Sequence, residues 1–166
     1  AALALATEPP DERFFDQPPH GRHAPLITKQ MWAHILLTGG VMVIVLLLIL
    51  LTDIMVPDGI SQAERYTFLF NAFVMMQLFN EWNARSTRFD RGVMKNLGRS
   101  HLFLGVMVST LVLQVLIVEF GGAFFRTVDL RPSLWAVSIV LGVLVLGWGA
   151  LLRKVGSIVM PGAQGG

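Results

Sequence analysis

The side chains best placed to do chemistry are four polar residues crowded into an otherwise apolar stretch: Asn71, Gln77, Asn80 and Glu81. Each is costly to expose to hydrocarbon. At about 100° per residue, Gln77, Asn80 and Glu81 share one helical arc of roughly 100°, and that face is expected to look into protein rather than acyl chains. Such a face could hydrogen-bond to neighbouring helices as packing glue, or serve an ion or proton path with Gln114 as a further member. Glu81 beside Arg85 could hold the following basic loop in place or guide cations. Pairing with a nearby arginine, or a reach to water, is the plainer reading.

Other chemistry is harder to find in the sequence. The chain has no cysteine, so disulfides and thiolate metal sites are excluded. It shows neither G-x-x-x-x-G-K-[ST] nor G-x-G-x-x-G, the glycine patterns that cradle nucleotide phosphates. His20, His23, His34 and His101 are scattered, and H-E-x-x-H is absent. No pair of carboxylates is placed for acid–base work. No catalytic residue, resident metal or cofactor site is expected, and the net charge of +2 gives no reason to expect nucleic acid.

The elements that must position these residues follow from composition. Apolar residues make up 54% of the chain and charged residues 14%, far below the roughly 25% charge of a soluble domain. A bilayer core about 30 Å thick needs about 20 apolar residues of helix. The sequence supplies four such runs, about Gln30 to Thr52, Tyr66 to Trp82, His101 to Phe120 and Ser133 to Leu152. An all-α membrane protein with four transmembrane helices is the expectation, as one unit over 30–152. Residues 1–7 read as the end of a preceding helix, 8–29 as a proline-rich loop and 153–166 as a tail. Trp135 and Trp148 lie near the two ends of the fourth run, roughly 20 Å apart, as interfacial belts would be. Gly39, Gly40, Gly142, Gly147 and Gly149 could permit close approach of helices.

Basic residues set the orientation. Arg13, Arg22, Lys29, the loop with Arg85, Arg88, Arg91, Lys95 and Arg99, and Arg153 with Lys154 fall on one side. Only Arg65, Arg126 and Arg131 fall on the other. The positive-inside rule makes the proline-rich loop, the basic loop and the carboxyl terminus cytoplasmic. The basic loop, Arg85, Arg88 and Arg91 included, could also attract anionic inner-leaflet lipids.

Several stretches carry a family likeness. AALALATEPP (1–10) resembles the end of the sixth transmembrane helix of plasma-membrane-type, calmodulin-regulated calcium ATPases, which are P-type pumps. HGRHAPLIT (20–28) resembles the loop before their seventh helix, and YTFLFNAFVMMQLFNEWNAR (66–85) their eighth. VLQVLIVEFGG (112–122) and LWAVSIVLGVLVLGWG (134–149) resemble the ninth and tenth. The similarity runs through nearly the whole chain in the family's order.

The resemblance implies a parent enzyme that uses ATP and magnesium to export calcium across the plasma membrane, with a cytoplasmic aspartate phosphorylated in a DKTG motif. That motif, the nucleotide pocket and the principal ion ligands have no match here. The implied role is the support domain of such a pump, inactive alone, with the remaining helices and cytoplasmic domains as partners, along with membrane lipids and a single-span accessory subunit. Gln77 matches a position where two-site reticulum pumps carry a carboxylate calcium ligand, so it could mark a vestigial ion site; hydrogen bonding between helices is the alternative. Lys154–Gly166 lacks the basic amphipathic pattern of a calmodulin-binding tail. A free-standing four-helix binding or regulatory protein derived from such a pump, and a small channel or relay on Gln77, Asn80, Glu81 and Gln114, are the other readings. An upstream reading frame with DKTG supports the first, and an independent start the second.

Overall fold

The computed structural model describes residues 29–85 and 101–159, all in helices and short connections. The first long helix, α1, spans Lys29–Leu51, α2 spans Gln62–Arg85 and α3 spans His101–Phe120. A four-residue α4 (Gly122–Phe125) precedes α5, Pro132–Val159. The expected preceding helix (1–7), most of the proline-rich loop and most of the basic loop lie outside the described residues, as does the end of the tail.

Among the described residues, three stretches are long and apolar enough to cross a membrane, namely Met31–Leu51, His101–Phe120 and Pro132–Gly156. The third expected run agrees with α3 at both ends, while α2 and α5 extend beyond theirs. With 24 residues, α2 is about 36 Å long. It falls short in apolarity because of Asn71, Gln77, Asn80 and Glu81.

The helix ends show why the chain turns where it does. The Glu64 N–H donates to Ser61 Oγ at 3.1 Å, a serine cap at the start of α2. Gly59, at φ +73°, occupies a turn conformation that side chains rarely adopt. Pro132 sits at the first position of α5, where its missing N–H costs nothing. Between α3 and α5, Arg126 closes α4 in the left-handed region at φ 53°.

These turns meet at one end of the bundle. Arg65 donates to the Leu50 carbonyl at 3.3 Å and forms an ion pair with Asp53, joining the end of α1 to the start of α2. Arg131 pairs with Glu64 at 3.0 Å and donates to the Gly59 carbonyl at 3.1 Å. Trp135 Nε1 donates to Glu119 at 3.0 Å, so this tryptophan clasps α3 rather than serving only as a belt residue. Replacing Arg131 with methionine strands Glu64, whose side chain is 10% exposed, while Arg131 itself is 44% exposed. A loss of about 1–2 kcal/mol is expected, screened by the water on the arginine side. Thermal unfolding in detergent checks it, and an unchanged midpoint would reject the clasp.

The most extensive interface joins α2 to α5, with α1 packed against both and α3 held mainly by α2. Phe68, Ala72, Met76, Leu134, Leu141 and Val145 form its centre, with Met42 and Ile49 from α1. Outward faces are apolar as a bilayer requires, with Leu36, Ile44 and Leu51 on α1 and Val108, Val112 and Leu116 on α3 exposed.

Candidate functional site

The polar residues of α2 divide between two sides of the helix. Asn71 and Asn83 are the buried ones, at 0% and 1% exposure. Gln77 is exposed, and Asn80 and Glu81 are half-buried. The expectation that the Gln77 face looks into protein is therefore not met within this chain. The arc showed which residues share a face, and the contact with α5 selected another one. Tyr66, Phe70, Phe73 and Gln77 form a continuous exposed stripe at helical spacing. Its polar part is at one end and its aromatic part at the other.

The buried amides tie helices together. Gln114 Nε2 donates to Asn71 Oδ1 at 3.0 Å, linking α3 to α2. Asn83 Nδ2 donates to the Val145 carbonyl at 2.9 Å, and Arg153 Nη1 donates to Asn83 Oδ1 at 3.1 Å. Gln114 is thus drawn away from Gln77, and the relay of Gln77, Asn80, Glu81 and Gln114 is not assembled. Neither Asn83 nor Arg153 stood out in the sequence as a contact. An amide in the last turn of α2 and a cation in a membrane helix were the available signals.

Two of the five glycines considered make the close approach. A Cβ on Gly149 would fall 2.4 Å from the Asn83 side chain, and one on Gly142 would fall 2.3 Å from the Phe79 ring and 3.1 Å from the Met75 carbonyl. Gly39, Gly40 and Gly147 have nothing within 4 Å of that position. Trp148 is half-buried with its indole N–H enclosed and unpartnered. Arg88 and Arg91 lie outside the described residues, and of Arg85 only the backbone is described, so its pairing with Glu81 lies outside them as well.

As a calcium seat the exposed face falls short. Calcium takes six to eight oxygens, several of them charged. Gln77 supplies one neutral amide oxygen, and Glu81 is a full turn further on. Among the described residues no group of three or more His, Cys, Asp or Glu could hold a metal.

The described residues form an all-helical bundle with apolar outward faces, joined by buried amides, which is the character of a membrane region. Comparison with known proteins makes the assignment specific. The family described as "Cation transporting ATPase, C-terminus" matches residues 1–155, and the chain belongs to it. It is 36% identical to the plasma membrane calcium-transporting ATPase mca-1 of Caenorhabditis elegans over 98% of the chain and 14% of that protein. It is 45% identical to calcium-transporting ATPase 10, plasma membrane-type, of Arabidopsis thaliana, over 85% of the chain and 14% of the relative. Calcium-transporting ATPase PAT1 of Dictyostelium discoideum is 38% identical over 93% of the chain and 15% of its own length. The chain therefore spans about a seventh of the relatives it matches, and its similarity is to the carboxyl-terminal region of plasma-membrane calcium pumps.

Proposed function

We propose that this chain is the carboxyl-terminal transmembrane support region of a P-type ATPase that exports calcium at the plasma membrane. The observation that supports it best is the exposed stripe on α2, which carries Gln77 on the side turned away from α5. Three of its four residues are aromatic and tolerate lipid, but the exposed Gln77 amide is costly to leave in hydrocarbon and is best covered by a protein neighbour. The transport helices elsewhere in such a pump are that neighbour. Residues 30–152 brace them, and ion binding, ATP, magnesium and phosphorylation belong to other parts of the protein. Alone, the chain would neither hydrolyse ATP nor move calcium.

In this reading α2 crosses the membrane with the three more apolar helices. The ties at the helix ends support the fourth crossing. The end of α1 meets the start of α2, and the end of α3 meets the start of α5. Asn83 near the end of α2 reaches α5 at Val145 and Arg153, close to the opposite end. Since α2 runs parallel to α5 along its length, start beside start and end beside end, it crosses wherever α5 does. The positive-inside count then places the carboxyl terminus in the cytoplasm.

Gln77 stands in this reading for an ion position that has lost its charge. The parent pump then moves one calcium per ATP, and Gln77→Ala leaves that ratio unchanged. Calcium uptake and ATP consumption, measured together in vesicles containing the whole pump, test it. A ratio of two in the wild type would refute the lost-site idea. A pump that transports normally with charged residues at Tyr66, Phe73 and Gln77 together would refute the docking role of the stripe.

A further inference from the structure

Near the carboxyl end of α5, three helices converge on one guanidinium. Arg153 Nη1 is engaged by the Asn83 amide oxygen of α2 at 3.1 Å. On α1, His34 lies beside the Gly149 backbone and within electrostatic reach of Arg153. Two groups able to carry positive charge thus approach one another. The ion pairs of Asp53 with Arg65 and of Glu64 with Arg131 lie at the other end of the bundle. Arg153 Nη2 is enclosed and has no acceptor.

Among the described residues this arrangement lacks an anion. Arginine keeps its charge in proteins, so partial burial cannot be relieved by losing a proton. A buried charge with one neutral amide partner is under-compensated, and an orphaned N–H on it marks the place of an unseen acceptor. The guanidinium's planar fork suits the oxygens of a phosphate group, and the enclosed junction strengthens such contacts relative to water. Asn83 holds the fork by one nitrogen and leaves the other for the ligand.

We propose that the junction of His34, Asn83 and Arg153 seats a phosphate-class oxyanion, with Arg153 as its principal donor and His34 as the second. The anion balances the charge where α1, α2 and α5 meet. A phospholipid headgroup and a soluble phosphate present the same oxygens, and they differ in whether acyl chains accompany them.

The test uses the full 166-residue chain in phosphate-free detergent. Native mass spectrometry counts the dioleoyl phosphatidic acid retained, with dioleoyl glycerol as the same lipid without its phosphate. In a parallel arm, phosphorus NMR follows line broadening of inorganic phosphate. Retention of phosphatidic acid over diacylglycerol supports a headgroup at the site, and broadening alone supports a soluble anion. Either signal is expected to weaken about tenfold or more in Arg153→Gln, as for loss of a charge-assisted hydrogen bond. Asn83→Asp places a carboxylate beside Arg153 at unchanged side-chain size. It is expected to displace the anion while far-UV circular dichroism stays that of the wild type. Equal retention of both lipids with no phosphate broadening, or anion binding unchanged in both variants, overturns the proposal.

Discussion

Gly149→Ala is expected to destabilise the folded chain by about 3 kcal/mol, a large effect for one added methyl group. The new Cβ would lie 2.4 Å from Asn83 Cγ and Nδ2, far inside contact distance. Asn83 cannot yield easily, because its amide is held at both ends, by the Val145 carbonyl and by Arg153. Either α2 and α5 separate or the asparagine leaves its place. Overpacking costs about 1–3 kcal/mol, and a buried amide stripped of partners costs a similar amount. Gly147→Ala is the control, since nothing lies within 4 Å of its Cβ position. There the exchange is expected to stabilise by up to about 1 kcal/mol, because alanine favours helix over glycine. Unfolding in micelles by graded addition of denaturing detergent reads both. Equal shifts for the two variants would show that α2 and α5 do not meet at Gly149.

Gly142→Ala is an instructive intermediate. Its nearest neighbour is the edge of the Phe79 ring, which can swing, whereas the Met75 carbonyl at 3.1 Å can give only slightly. The cost is expected to fall between those of Gly147 and Gly149. The notched face was legible in principle. Leu134, Ser138, Leu141, Gly142, Val145 and Gly149 follow helical spacing and are all buried, while Gly147 lies off that line. Reading glycines as a class hid the distinction, and reading them by helical position would have drawn it.

The long apolar runs were legible because the bilayer sets their length and ionisable residues mark their ends. Thus α3 follows its expected bounds, with His101 at one end and Gly121 beyond the other. The start of α2 lies earlier than expected because Gln62–Arg65 is polar. Its helicity comes from the Ser61 cap and the Arg65 and Glu64 ties, which hydropathy does not register. The orientation of α2 was not legible at all. Periodicity grouped Gln77 with Asn80 and Glu81, but only the opposing surface of α5 determines which side is covered. That surface is shaped by glycines sixty or more residues away in sequence.

The last expected effect concerns the attachment of α3. This helix buries Phe103, Gln114 and Val118 and turns most of its remaining length outward. Its polar hold on α2 is the bond from Gln114 to Asn71, which is 0% exposed and whose Nδ2 has no acceptor. Gln114→Leu leaves the whole Asn71 amide without a partner among apolar neighbours. A loss of about 2 kcal/mol is expected, above the average for hydrogen bonds between membrane helices, because the stranded group is fully enclosed. Asn71→Leu alone strands the Gln114 side chain, which is 3% exposed, and is expected to cost a similar amount. With both replaced, no amide is left stranded and much of the loss is recovered, giving a coupling of about 1 kcal/mol in the double-mutant cycle. Strictly additive losses would show that the two amides do not act as a pair, and α3 would then be held by Phe103, Val118 and its clasp to Trp135. Recovery in the double variant would mean that the amides fix how α3 sits on α2 more than they add to stability, as suits a bundle whose outer helix has few other contacts to set its register.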